Sequence, residues 1–215
     1  MKTRAKICGL TKAQDVSQAS AIGADAIGFV FYPKSKRYVS PEIAGELSQS
    51  ANVFIDTVAL FVEPDDEQVE AVLRALRPSY LQFHGDETPE ECERFGHRYI
   101  KAFRVGAPGL DTPEGLYQTC TRFKHAAAWL FDSYTPAYGG SGYGFDRTLL
   151  KDVCRHRNVP IILSGGLDAD NVTGLITQLR PDAVDISSGV EIEPGIKSPQ
   201  KMRDFLRAVS AAQSF

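Results

Sequence analysis

Short apolar runs recur along the chain at Ala5–Cys8, Ala26–Phe31, Val58–Val62, Tyr80–Phe83, Tyr99–Val105, Ala127–Phe131, Pro160–Leu163 and Ala183–Ile186. They are rich in Val, Ile and Phe and do not alternate with polar residues, so they predict strands buried on both faces. The intervals leave room for a helix and two loops. Helix starts are readable in several of them: Ser40 before Pro41, Thr88 before Pro89-Glu90-Glu91, Asp15 and Asp170. Eight βα units can close into a barrel or lie open as a doubly wound sheet, and a count of eight favours the closed, parallel (β/α)8 TIM barrel. With no Pro/Gly/Ser-rich linker or block of like charge, residues 1–215 read as one domain.

A barrel places its chemistry where strands end, so the residues closing each run are the candidates. Ser164-Gly165-Gly166 follows the seventh run, and Ser187-Ser188-Gly189 the eighth. These loops either make tight turns or let backbone amides approach a phosphate, and their joint position favours the phosphate. Cys8 closes the first run beside Lys6 and Gly9. It is either a small buried hydrophobe or a base whose pKa is lowered locally. Asp132 closes the sixth run, ahead of Gly139-Gly140-Ser141-Gly142, and is either a cap or a proton donor. The basic loop Tyr32–Tyr38 after the second run, which includes Arg37, either is solvated surface or supplies the fork that a carboxylate requires. His84 closes the fourth run and reads as a possible substrate contact or a structural hydrogen-bonding residue.

Composition narrows the classes. The formal charge of −3, with 24% charged and 43% hydrophobic residues, argues against a nucleic-acid binder and a membrane span. Cys8, Cys92, Cys120 and Cys154 are too scattered for a close-spaced zinc or redox motif, and Cys92, Cys120 and Cys154 fall in expected helices. No His-Glu-x-x-His or dinucleotide fingerprint occurs, so neither metal nor cofactor is expected. The start of the chain lacks a signal-like apolar stretch, so the expected compartment is the cytoplasm. Nothing in the sequence decides between monomer and homodimer.

The sequence resembles the phosphoribosylanthranilate isomerases of tryptophan biosynthesis. The likeness is carried by Lys6-Ile7-Cys8-Gly9-Leu10-Thr11, the stretch from Gly23 to Pro41, Leu81 to Glu87, Gly139 to Gly142, Leu163 to Leu167, and Val184 to Glu191. It implies an Amadori rearrangement of a phosphosugar-anthranilate substrate without cofactor, with Cys8 as general base and Asp132 as general acid. By the same resemblance, Arg37 takes the anthranilate carboxylate, and the loops at Gly165, Gly166, Ser188 and Gly189 take the phosphate. Three departures stand out: Arg147 where an aromatic residue is expected, and Glu63 and Asp168 where Asn is common. A related histidine-pathway isomerase would carry Asp at the position of Cys8, and a noncatalytic phosphometabolite-binding barrel remains the reading from another class.

Overall fold

The computed structural model describes residues 2–134 and 144–212. Strands β1 (Arg4–Cys8), β2 (Ala26–Val30), β3 (Asp56–Phe61), β4 (Tyr80–Phe83), β5 (Tyr99–Val105), β6 (Ala128–Ser133), β7 (Ile161–Leu163) and β8 (Ala183–Ile186) close into a barrel in sequence order. All eight neighbouring pairs are parallel, including the closing pair β1 and β8. Helices α1 (Ala13–Ala21), α2 (Pro41–Ser48), α3 (Asp66–Leu76), α4 (Pro89–Glu93), α5 (Pro113–Thr121), α6 (Lys151–His156), α7 (Val172–Leu179) and α8 (Pro199–Ala211) complete a (β/α)8 barrel.

The apolar runs serve two faces at once. Val58, Ile100, Ala102, Ala128, Leu130 and Ile162 fill the barrel interior, while their strand neighbours, such as Phe61, Phe83, Trp129 and Phe131, pack outward against the helices. A stacked series Phe31, Phe61, Phe83 and Phe95, with centroids 5.4, 6.2 and 6.0 Å apart, binds three strands to the helical layer. Each such pair adds about 0.5–1.5 kcal/mol beyond its buried area.

Ser40 and Thr88 cap their helices as expected, Thr88 within a reciprocal capping box closed by Glu91. Asp15 and Asp170 do not start helices. Helix α1 begins at Ala13, leaving Asp15 buried in its first turn, where it accepts the Lys197 N–H at 3.1 Å. Asn171 holds the N-cap position of α7, and Asp168 instead accepts the N–H groups of Asp170 and Asn171, each at 2.9 Å. The sixth strand runs past Phe131, so Asp132 lies inside β6 as the register partner of Arg104. A hairpin of β9 (Glu191–Glu193) and β10 (Ile196–Lys197), too short to leave a periodic signal, follows β8.

Candidate active site

Side chains two residues apart on a strand share a face, so β1 directs Lys6 and Cys8 together into the barrel. Lys6 is the register partner of Asp185 on β8, and their side chains form a buried ion pair at 3.0 Å. Cys8 is the register partner of Gly28 on β2, and a Cβ at Gly28 would come within 2.8 Å of the Cys8 sulfur and 3.0 Å of Lys6 Nζ. Glycine is what lets thiol and ammonium lie side by side against the β2 backbone. Burial pushes the thiol above its ordinary pKa, and Lys6 pulls it back only in part. The local lowering expected from the sequence is therefore outweighed by desolvation. Lys6 itself is raised: burial opposes its charge, but Asp185 and Cys8 outweigh that.

On the other side of the mouth, Asp132 Oδ2 lies 3.3 Å from His84 Nε2, and Asp132 Oδ1 accepts the Ser133 N–H at 2.8 Å. Behind His84, the fully buried Gln82 places Nε2 3.3 Å from His84 Nδ1. His84 thus lies in the pocket wall and is bonded to the candidate acid.

Arg37 grips Glu191 with two bonds, Nε to Oε1 at 2.8 Å and Nη2 to Oε2 at 2.7 Å. Lys197 reaches Glu191 Oε1 at 2.8 Å. Two cations sharing one carboxylate leave a net positive charge, and Arg37 keeps N–H groups beyond the pair. The bonds to Glu191 raise Arg37; burial opposes ionisation of Glu191, yet the bonds from Arg37 and Lys197 hold it below the usual carboxylate range.

The glycine loops meet over the same opening. Gly165 and Gly166 have φ of 77° and 65°, and a Cβ at Gly165 would strike Ser133. One at Gly189 would collide with the Leu167 carbonyl, so glycine is needed where the two loops abut. Ser187 donates its hydroxyl to the Cys8 carbonyl at 3.0 Å, which ties the eighth loop to the end of β1. Cys8, Arg37, His84, Asp132, Gly165, Gly166, Ser187, Ser188 and Gly189 all line one pocket.

Cys92, Cys120 and Cys154 sit on α4, α5 and α6, away from it. Residues 139–142 fall outside the described residues. Sequence reasoning missed Lys197 altogether, whereas Lys6, Gln82, Asp185 and Glu191 lay inside motifs without being assigned a role; their contacts to the candidates arise only through the fold. Among the described residues, no group of three or more His, Cys, Asp or Glu side chains gathers as a metal site would require.

Residues 5–208 match the family model described as N-(5'phosphoribosyl)anthranilate (PRA) isomerase. The chain belongs to the phosphoribosylanthranilate isomerase family. A curated phosphoribosylanthranilate isomerase from Bordetella petrii is 55% identical over 213 residues, covering 99% of this chain and 97% of the relative. The solved isomerase of Thermotoga maritima superposes with a TM-score of 0.87 at 37% identity, covering 97% of this chain and 99% of that one. Another solved isomerase, TM-score 0.84 at 34% identity and covering 97% and 99% of the two chains, is a complex with reduced 1-(o-carboxyphenylamino)-1-deoxyribulose 5-phosphate.

Proposed function

We propose that the chain, acting as one catalytic domain over residues 1–215, isomerises N-(5-phosphoribosyl)anthranilate to 1-(2-carboxyphenylamino)-1-deoxyribulose 5-phosphate in tryptophan biosynthesis. The observation that carries this reading is the lining of one pocket by a thiol and a carboxyl group from β1 and β6, together with Arg37 and both glycine loops. Asp132 donates a proton to the furanose ring oxygen, and the ring opens to a Schiff base. Cys8, reacting as thiolate beside the Lys6 ammonium, takes the proton from the neighbouring carbon. The enolamine so formed collapses to the ketone. A base and an acid on separate strands, each with its own partner, avoid quenching one another.

Arg37 receives the anthranilate carboxylate, and amides around Gly165, Gly166, Ser188 and Gly189 receive the phosphate, with His84 close enough to touch the substrate beside Asp132. No helix among the described residues is long and apolar enough to cross a membrane. A cytoplasmic setting suits the four free thiols. For assembly we favour a homodimer. Val53 and Phe54, 87% and 99% exposed, project from the α2–β3 loop at the end of the barrel opposite the mouth, and the Thermotoga maritima relative is described as dimeric.

The test is loss of anthranilate fluorescence when freshly generated phosphoribosylanthranilate meets the purified protein and its Cys8→Ser variant. Rapid loss, abolished in the variant, is expected. No loss with the wild type would sink the reading in favour of the histidine-pathway substrate or a binding-only barrel.

A further inference from the structure

Three consecutive carbonyls of the loop after β7 are gripped by side chains. Arg147 donates from Nη1 to the Ser164 carbonyl at 3.0 Å and from Nη2 to the Gly165 carbonyl at 2.5 Å. Asn171 Nδ2 donates to the Gly166 carbonyl at 2.8 Å. Ser164, Gly165 and Gly166 line the mouth pocket, whereas Arg147 and Asn171 are not part of its wall. No peptide bond described here is cis, so each carbonyl points away from the N–H of its own peptide unit. Holding the three carbonyls from behind therefore turns the N–H groups of Gly165, Gly166 and Leu167 toward the pocket. Successive amides aimed at one space form an anion-binding concavity.

The approach of Arg147 is itself fixed. Asp146 accepts the Thr148 N–H at 2.9 Å and starts the 3-10 turn Arg147–Leu150, and the guanidinium stacks on the Phe145 ring at 3.8 Å from its centroid. Burial lowers the guanidinium to about 10, and it stays charged at neutral pH. A cation against the carbonyl ends of two peptide groups polarises them and strengthens their N–H ends as donors.

We propose that Arg147 is a positioning residue for the substrate phosphate: without touching the anion, it aims and polarises the amides of the loop after β7. The inference rests on the reading that Gly165 and Gly166 hold the phosphate. A residue that merely stapled the loop would cost stability without discriminating between anionic ligands.

The experiment compares inhibition by inorganic phosphate and, separately, by anthranilate in the wild type, Arg147→Met and Arg147→Lys, with thermal melts alongside. Misaligning two donors at about 0.7 kcal/mol each predicts roughly tenfold weaker phosphate inhibition in Arg147→Met. The same factor is expected in KM, with kcat and anthranilate inhibition little changed and Arg147→Lys intermediate. Unchanged phosphate inhibition in Arg147→Met would overturn the role of Arg147 while leaving the phosphate site standing. Failure of phosphate to compete even with the wild type, where anthranilate does, would remove the phosphate site and the proposal together. Should Arg147→Met not fold, Arg147→Lys carries the same comparison, because one ammonium does not reproduce the fork across two carbonyls.

Discussion

Lys6 Nζ lies 3.0 Å from Asp185 Oδ1 because the two residues are register partners across the β1–β8 seam that closes the barrel. The pair is buried and sits one inward-facing position below Cys8, so the charge stabilising the thiolate is held by a strand at the far end of the sequence. Removing Lys6 leaves Asp185 an unpaired buried charge and takes the cation from the thiolate. Lys6→Met is expected to lose about 3–5 kcal/mol of stability. It should also move the Cys8 titration further up, read from thiolate ultraviolet absorbance against a Cys8→Ser background. An unmoved titration would show that Lys6 serves the fold and not the base.

Cys8→Ser and Asp132→Asn should each lower kcat by about 10²–10⁴-fold while leaving affinity for a product analogue within a few fold, since both groups move protons. Because burial raises the Cys8 thiol, the reactive thiolate fraction grows with pH. The rate should therefore climb on the alkaline side before levelling off. A flat profile there would count against Cys8 as base.

Arg37→Ala should act on affinity. Losing a charge-assisted contact worth about 1.5–3 kcal/mol raises KM roughly 10–150-fold. The variant also leaves Glu191 with Lys197 as its remaining side-chain cation among the described residues. Glu191→Gln, which frees Arg37 of its partner, should therefore disturb KM as well. An unchanged KM in Arg37→Ala would remove Arg37 from carboxylate recognition.

The barrel was legible because a strand buried on two faces leaves an uninterrupted apolar run, and a count of eight such runs favours closure over an open sheet. The candidate residues were legible because they end those runs or stand in the loops that follow them. What stayed hidden is lateral: Asp185 meets Lys6, Gln82 meets His84 and Lys197 meets Glu191 only after the sheet sets its register and the β9–β10 hairpin forms. Desolvation was equally invisible, and it decides the direction in which Cys8 is shifted. Asp15 misled because a carboxylate near a helix start satisfies the dipole in the first turn as well as at the cap. The resemblance noted Arg147 and Glu63 as departures; the structure puts Arg147 behind the loop after β7, and Glu63 in the left-handed region at φ 47°, a conformation that Asn adopts more easily.

Phe54→Glu tests the assembly. If two copies bury the exposed Val53 and Phe54, a charge at Phe54 should yield monomers in sedimentation experiments and leave kcat nearly unchanged, because the site lies at the other end of the strands. Identical sedimentation of variant and wild type would exclude this face as the interface.

The fold should lose stability at alkaline pH. Cys92 is buried on α4, and desolvation, only partly offset by Lys101, raises its thiol from 9.0 to about 12. A thiol in the unfolded chain loses its proton at the lower value, so between the two the unfolded state binds fewer protons than the folded one. Stability then falls as pH rises, because the slope follows the difference in bound protons. The contribution is complete below about 9 and gone above about 12. Tyr99, raised by burial and by the Glu93 carboxylate that accepts its hydroxyl at 3.2 Å, adds a loss of the same sign at still higher pH. Urea unfolding at a series of pH values should show this decline, and Cys92→Ala should flatten it above pH 9 whatever its cost at neutrality. If the two proteins lose stability in parallel across that window, the Cys92 thiol is not the group responsible.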